Sequence, residues 1–219
     1  MVTGSLAAWL WLVEVQHDGR ALDASDTQGD LAAALSGHFA KVEVLRAEPT
    51  ALEEIRSRAE REGWPISELT LGSLASAPWR EARFDCIALQ DTLLRAGAGT
   101  ADLTARLVRV RQLLLPGGWL ALSSFNPHFL GRRNARQPGI SPARLARECS
   151  QAGFVELRTL FAEPSAEDPR TLLPDARAAV LAFETCHTLR GASGPARRLA
   201  ARWGIRSLLY PAYFILARA

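Results

Sequence analysis

The chain contains very little lysine and cysteine. Lys41 is the only lysine among 26 basic residues, and arginine supplies the rest, a bias typical of a GC-rich genome. The three cysteines, Cys86, Cys149 and Cys186, are far apart and include no Cys-x-x-Cys pair. Neither a disulfide framework nor a cysteine zinc site is therefore indicated. An odd and sparse set of cysteines is typical of a reducing cytoplasm, where we expect this protein.

Long apolar runs are also missing. Residues 6–13 are apolar, but the run is short, lacks a basic leader and is followed by Glu14, so it does not resemble a signal peptide. No stretch reaches the roughly 18 uncharged apolar residues that a membrane span needs. With 219 residues, 48% hydrophobic and 22% charged, the composition is that of a globular protein with a sizeable core. The net charge of +3 gives only weak support for nucleic-acid binding.

Residues 20–48 have the layout of a nucleotide-binding βαβ unit. An apolar start ends in Asp23, a turn of small residues and a helix follow, and a second apolar run ends at Glu48. In such units, an acid on the second strand can hold ribose hydroxyls, while the turn after the first strand approaches the ligand.

Glycine is scarce where this layout normally needs it. The turn is usually rich in glycine because its backbone bends sharply and touches the ligand. Only Gly29 remains here, and Ser25 and Thr27 stand where glycines are expected. A positive φ at either residue would be strained. The same stretch therefore indicates a cofactor site and departs from the usual form of one.

Strand and helix patterns alternate through the rest of the chain. Buried strands are predicted from continuous apolar runs, and helices from apolar residues three or four positions apart. The alternation favours a mostly parallel sheet covered on both faces. Residues 5–17 are predicted to form a helix or strand ahead of the first unit. The later predictions are helices at 50–62 (capped by Thr50), 101–115, 141–152 (capped by Ser141) and 197–209, and strands at 68–71, 84–89, 119–125, 154–161 and 213–217.

Several of these segments together resemble a known family. A Leu-Pro-Gly-Gly turn precedes the predicted strand 119–125, a Phe-Asp pair opens the strand at 84, and Ala-Gly-Phe follows the late helix at 152–154. From about residue 21 to 153 the chain resembles class I S-adenosylmethionine (SAM)-dependent methyltransferases, specifically the small type 11 group. The resemblance implies a Rossmann-like α/β sandwich of seven strands, mainly parallel, with an antiparallel strand near the C-terminus. We expect one domain over 1–219, with a core at about 20–161 and a C-terminal extension at 162–219.

The resemblance also implies a cofactor site. Asp23 matches the family's acid before the loop, Glu48 its ribose-binding acid, and Ser73 stands where the family has an Asp beside adenine. Residues 90 and 91 follow the strand 84–89, which places them at the carboxyl edge where open α/β sheets bind ligands. The expected cofactor contacts are Asp23, Ser25, Thr27, Gly29, Glu48, Ser73 and Gln90. The expected acceptor contacts are Asp91, Asn126, in a turn at the pocket mouth, and His128, whereas no catalytic base is identified.

Asp23 and Glu48 each have a second interpretation, and a further acid, Asp26, bears on the choice of cofactor. Asp23 could cap the following helix, and Glu48 could be an exposed acid at a helix start. Asp26 places a negative charge in the loop, which disfavours the pyrophosphate of NAD but not the positively charged SAM.

The implied function is methyl transfer from SAM to a small-molecule or lipid-like acceptor. The sulfonium already activates the methyl group, so the protein mainly aligns the two reactants, and a base is needed only if the acceptor must lose a proton. The alternative is a degenerate methyltransferase-fold protein without SAM that acts as a binding or scaffold subunit, which the missing glycines and Ser73 favour. A third option, an RNA-modifying enzyme, lacks an aromatic stacking pattern, so nucleic acid is not an expected partner.

The C-terminal segment is strongly basic. Residues 187–219 contain six arginines and no acid. A helix over 197–209, with Leu199, Trp203 and Ile205 as apolar contacts, could lie on an anionic membrane or bind a phosphate-bearing partner. It could also simply cover the sheet, and a homodimer or a partner protein remains open. Three further arginines, Arg132, Arg133 and Arg136, could rim an entrance for an acidic or lipid-linked acceptor.

Overall fold

The computed structural model describes residues 8–14, 18–90, 100–129, 139–164, 169–187, 194–203, 205 and 208–219. The strands in these ranges are β1 (Arg20–Asp23), β2 (Lys41–Arg46), β3 (Ile66–Leu71), β4 (Phe84–Gln90), β5 (Leu114–Phe125), β6 (Val155–Pro164), β7 (Pro169–Pro174) and β8 (Ala212–Arg218). The α-helices are α1 (Asp30–Ser36), α2 (Pro49–Glu62), α3 (Thr100–Leu113), α4 (Pro142–Gln151), α5 (Arg177–His187) and α6 (Gly194–Arg202), and a 3₁₀ helix covers Ala8–Leu12.

All eight strands form one sheet in the order β3-β2-β1-β4-β5-β8-β6-β7. The first five strands of this order pair in parallel, whereas β8 is antiparallel to both β5 and β6. The predicted fold class, a mainly parallel sheet with an antiparallel C-terminal strand, is confirmed. The count of seven strands misses β7, which pairs with β6 at the edge. Its sequence begins and ends in proline, and edge strands tolerate proline because one side needs no ladder donors.

The sheet separates two hydrophobic cores, one on each face. Successive side chains of a strand point to opposite faces, so a strand that is apolar throughout contributes to both cores. β4 and β8 are of this kind: every residue of β8 except its last is buried, as are all but Asp85 in β4. This two-sided burial is why both strands were recognisable as continuous apolar runs.

Proline positions fix the starts of two helices. Ser141 caps α4 by accepting a hydrogen bond from the Arg144 backbone N–H, with Pro142 next to it, as predicted. In α2 the predicted cap at Thr50 is wrong. The helix begins at Pro49, because the fixed φ of proline suits the first helical position, and Glu48 occupies the N-cap.

The predicted helix 197–209 is wrong at both ends. α6 begins at Gly194 and ends at Arg202, and Ile205 lies outside helical structure. α5, which was not predicted, packs beside α6. No helix in the described ranges is both long and apolar enough to cross a membrane.

Arg197 is half-buried where α5, α6 and β6 meet. Its guanidinium donates to both carboxylate oxygens of fully buried Glu184, at 2.8 and 3.0 Å, and lies 3.3 Å from Glu163. The Tyr210 hydroxyl donates to the same Glu184 carboxylate at 2.9 Å. Burial, with the nearby Glu184 carboxylate, raises the pKa of Tyr210 well above its usual range, so the hydroxyl stays protonated. Arg197 therefore joins secondary-structure elements and is not one of the free surface cations.

Candidate cofactor site

A cavity of about 420 Å³ lies beyond the carboxyl ends of β1, β2 and β3. This is within the range of roughly 300–1,000 Å³ for small-molecule sites, and it lies at the edge where open α/β sheets bind ligands. It is lined by the end of β2, the loops after these strands and α3: Ala24, Ser25, Asp26, Leu45, Arg46, Ala47, Glu48, Gly72, Ser73, Leu74, Ala75, Asp102 and Arg106.

Side chains hold the glycine-poor loop in shape. The Ser25 hydroxyl donates to Asp23 Oδ1 at 2.6 Å, and the Ser25 backbone N–H donates to the same oxygen at 2.9 Å. The Thr27 hydroxyl lies 2.8 Å from the Ser25 hydroxyl. Neither Ser25 nor Thr27 has a positive φ, so the strain that glycine would relieve does not arise at either position. The two hydroxyl residues build the turn in a different way from the usual glycines.

Arg46, which the sequence did not single out, closes this network. It is the last residue of β2, and its side chain is only 4% exposed. Its guanidinium contacts both carboxylate oxygens of Asp23, at 2.8 and 3.4 Å. It also donates to the backbone carbonyls of Asp23, Leu45 and Thr27, at 3.0, 2.9 and 3.0 Å. Arg46 therefore ties β2 to the end of β1 and to the loop that follows.

The end of the second strand thus carries a cation where the βαβ layout expects an acid. Glu48 lies two residues past β2, at the N-cap of α2, where it makes no capping hydrogen bond with its side chain. Glu48 is exposed and lines the cavity. This position agrees with the interpretation as a helix-start acid and also leaves the carboxylate available to a ligand.

Ser73 forms the cavity wall beyond β3. It lies in an exposed turn whose backbone N–H donates to the Ser76 hydroxyl at 2.9 Å, and the two hydroxyls are 3.0 Å apart. Leu74, next to it, is buried. This wall therefore offers both a polar and an apolar surface.

The cavity wall on α3 was not anticipated. Arg106 Nη2 and Nε lie 2.8 and 3.1 Å from the two oxygens of Asp102, and both residues line the cavity. Their i, i+4 spacing indicates a helix-surface ion pair, but a sequence gives no sign that this pair faces the end of β2.

Four of the expected cofactor contacts, Asp23, Thr27, Gly29 and Gln90, do not line this cavity. Gly29 has φ +94°, and a Cβ there would come 3.1 Å from Trp64 and 3.4 Å from Ile55. A glycine at this position therefore lets the start of α1 pack closely against α2 and Trp64. Gln90 is buried at the end of β4, where its backbone pairs with that of Ser123. Asp91, Arg132, Arg133 and Arg136 lie outside the described residues.

Asn126 fixes the end of β5. Its side-chain amide donates to the Tyr210 carbonyl at 2.9 Å, its side-chain oxygen accepts from the His128 backbone N–H at 3.1 Å, and its own N–H donates to Pro211 O. His128 beside it is exposed. Two of the three predicted acceptor-side residues, Asn126 and His128, thus lie at the carboxyl end of β5, and Asn126 is bonded to the segment that leads into β8.

No protein-family model and no curated protein matches the chain, but solved structures do. A SAM-dependent methyltransferase from Leishmania major superposes with a TM-score of 0.63 at 17% identity, covering 99% of this chain and 72% of that one. N-methyltransferase NodS from Bradyrhizobium japonicum WM9, in complex with S-adenosyl-L-homocysteine (SAH), gives 0.56 at 16% identity, covering 91% and 77%. The [4+2]-cyclase SpnF gives 0.60 at 15% identity, covering 93% and 75%. At these identities the likeness concerns the fold alone, and a cyclase among the neighbours illustrates that this fold supports more than one activity. The chain has the fold of class I SAM-dependent methyltransferases.

Proposed function

We propose that the protein binds SAM in the cavity beyond β1, β2 and β3 and transfers its methyl group to a small-molecule or lipid-like acceptor. The observation that carries the proposal is the position of this cavity, between the exposed carboxylate of Glu48 and the Ser73 turn. Both groups lie at the carboxyl edge of the parallel strands, where the methyltransferase fold would hold a nucleoside.

The residues present fit an adenosyl ligand in three respects. The Glu48 carboxylate is a suitable acceptor for two ribose hydroxyls. The wall after β3 combines the Ser73 hydroxyl with apolar Leu74, which suits the edge and face of a purine. Asp26 adds negative charge to the wall, which is compatible with a sulfonium and unfavourable for a pyrophosphate.

When bound, SAM supplies an activated methyl group, and the chain's part is to orient the donor and the acceptor. Glu48 and Ser73 would hold the nucleoside, and the loop built by Asp23, Ser25 and Thr27 would bound the cavity at β1. His128, which is exposed at the end of β5 and is positioned by the buried Asn126, would face the acceptor. Orientation alone can account for much of the rate enhancement, so the lack of an identified base is compatible with catalysis.

One observation favours a second candidate, a binding or scaffold subunit that no longer uses SAM. The Arg46 guanidinium lies at the end of β2 and forms an ion pair with the Asp23 carboxylate, so this carboxylate already has a cationic partner within the protein. A cofactor whose positively charged group had to pair with Asp23 would compete with the Arg46 guanidinium for it. The two candidates therefore differ in whether Glu48 and Ser73 suffice to hold the nucleoside.

Calorimetric titration with SAM and with SAH separates these candidates. We expect micromolar binding by the wild-type protein and a loss of roughly tenfold or more in Glu48→Ala, because a hydrogen bond to a charged group contributes about 1.5–3 kcal/mol. Glu54→Ala is the matched control, since Glu54 is an exposed acid on the same helix that lines no part of the cavity. Absence of binding by a protein that melts cooperatively would favour the scaffold candidate.

A further inference from the structure

The end of α6 carries an apolar surface that no described part of the chain covers. Trp203 is 71% exposed, Leu199 is 47% exposed, and Ile205 is 38% exposed. Three of the seven exposed large hydrophobic residues found in the described ranges thus fall within seven positions of one another. Leu199 and Trp203 are four residues apart, and the Trp203 N–H donates to the Leu199 carbonyl, so the two side chains share a face of the last turn.

Arginines flank this apolar surface. Arg198 and Arg202 are also four residues apart, on the neighbouring face, and neither forms an ion pair with an acid in the described part of the chain. Arg177 of α5 donates to the Arg202 carbonyl at 2.7 Å and so brings a third guanidinium to the end of α6. These three arginines and the three apolar residues together form what we call the α6 tip.

The four described arginines of the C-terminal segment divide into two groups. Arg197 binds Glu184 and Glu163, and Arg218 lies 3.2 Å from Glu156. These two are paired with acids, whereas Arg198 and Arg202 have no acid partner among the described residues; Arg190 and Arg206 lie outside them. The unpaired positive charge of the four described arginines therefore lies at the α6 tip, beside the exposed Trp203.

We propose that the α6 tip docks on the surface of an anionic lipid bilayer. Tryptophan favours the boundary between hydrocarbon and head groups, and arginine pairs with lipid phosphates. An exposed apolar cluster with arginine on its flank has the chemistry of an interfacial anchor, although one short helix gives only reversible attachment. Charge complementarity selects an anionic bilayer over a neutral one.

Docking at the α6 tip would also orient the sheet relative to the bilayer. The chain runs from Ile205 to Tyr210 and Pro211, whose carbonyls accept hydrogen bonds from Asn126 at the carboxyl end of β5. Docking would therefore bring the acceptor side of the sheet toward the lipid. The proposal itself does not depend on methyl transfer, since membrane attachment can be measured without any cofactor.

Co-sedimentation with lipid vesicles tests this proposal. We expect the full-length protein to pellet with vesicles of phosphatidylcholine mixed with phosphatidylglycerol, and not with phosphatidylcholine alone. Binding should weaken as salt is added. Trp203→Ser should reduce it about tenfold, and the double variant Arg198→Ser/Arg202→Ser roughly thirtyfold, because each arginine near an anionic surface contributes about fivefold.

Matched controls lie on other surfaces. Val155→Ser removes an apolar side chain that is 54% exposed on β6, and Arg61→Ser removes an exposed arginine at the end of α2. Both controls should bind as the wild type does, with all variants melting cooperatively. Equal binding by the α6-tip variants and the wild type would overturn the proposal, as would failure of the wild type to bind anionic vesicles. A concentration-dependent dimer that Trp203→Ser abolishes would also overturn it, by assigning the tip to a second copy.

Discussion

The ion pair between Arg46 and Asp23 is the least expected feature at the scale of single residues. Both side chains are almost fully buried, and the pair connects two strands and the loop that bounds the candidate cofactor cavity. The cost of burying two charges is offset only while both remain and their hydrogen-bonding groups are matched. Arg46 Nε is the exception, since it finds no partner among the described residues.

Removing one member of the pair should therefore be costly. We expect Arg46→Ala to lower the free energy of unfolding by about 3–5 kcal/mol, because it leaves the Asp23 carboxylate buried and uncompensated. Urea unfolding measures this change. Arg61→Ala, at an exposed position, should stay within about 0.5 kcal/mol of the wild type. A similarly small effect of Arg46→Ala would mean that Asp23 does not need its arginine.

The three cysteines should differ sharply in reactivity. Burial raises the pKa of Cys149 to about 12 and shifts the pKa of Cys86 upward as well, whereas Cys186 is exposed. Since the thiolate is the reactive form, a chromogenic disulfide reagent at pH 8 should modify one thiol quickly in the native protein and all three after denaturation.

The same shifts define a pH dependence. The unfolded pKa of cysteine is about 8.5, so stability from the neutral buried thiols is fully present below that pH and is lost as the pH rises toward 12. A Cys86→Ala/Cys149→Ala variant should lose less stability than the wild type between pH 8.5 and about 12. Unfolding curves of the two proteins measured at alkaline pH test this difference. Fast modification of two or more native thiols would contradict the burial on which the argument rests.

At the scale of elements, the start of α1 depends on contacts from α2. Arg58 of α2 pairs with Asp30 at 2.8 Å, donates to the Gln28 carbonyl and stacks over Trp64. Gly29 lies beneath Trp64 with φ +94°, a conformation that side chains other than glycine rarely adopt. The glycine that remains in the loop is therefore required by helix packing, whatever the ligand.

Gly29→Ala should destabilise the protein by about 1–3 kcal/mol, since a Cβ there is strained and also crowds Trp64. Gly37→Ala is the matched control. Gly37 ends the same helix at φ −79°, and the nearest atom to an added Cβ lies at an ordinary 3.6 Å. Thermal unfolding of the two variants should separate them clearly. Equal melting temperatures would show that the backbone relaxes around position 29.

For the whole molecule, the sequence was most informative where burial is continuous. β4 and β8 are apolar on both faces, so their residues identify them without any other context. β7 was missed because its pattern is short and bounded by prolines, and its pairing with β6 depends on the edge left by the rest of the sheet. α6 was placed too far along the chain because arginines continue past its end.

The candidate site was less predictable because it depends on contacts distant in sequence. The resemblance pointed to Glu48, which does line the cavity, but β2 ends at Arg46, and only the folded chain shows that guanidinium turned back onto Asp23. Asp102 and Arg106 reach the cavity from a helix more than 50 residues beyond Glu48. Such neighbours arise from the order of strands and helices, which a local pattern does not contain.

A crystal structure of the protein grown with SAH would test the central claim most directly. The account predicts a nucleoside in the cavity beyond β1, β2 and β3, with its ribose hydroxyls on the Glu48 carboxylate, its base against Ser73 and Leu74, and Arg46 still bound to Asp23. An empty cavity at saturating SAH, or SAH bound elsewhere on the sheet, would contradict it.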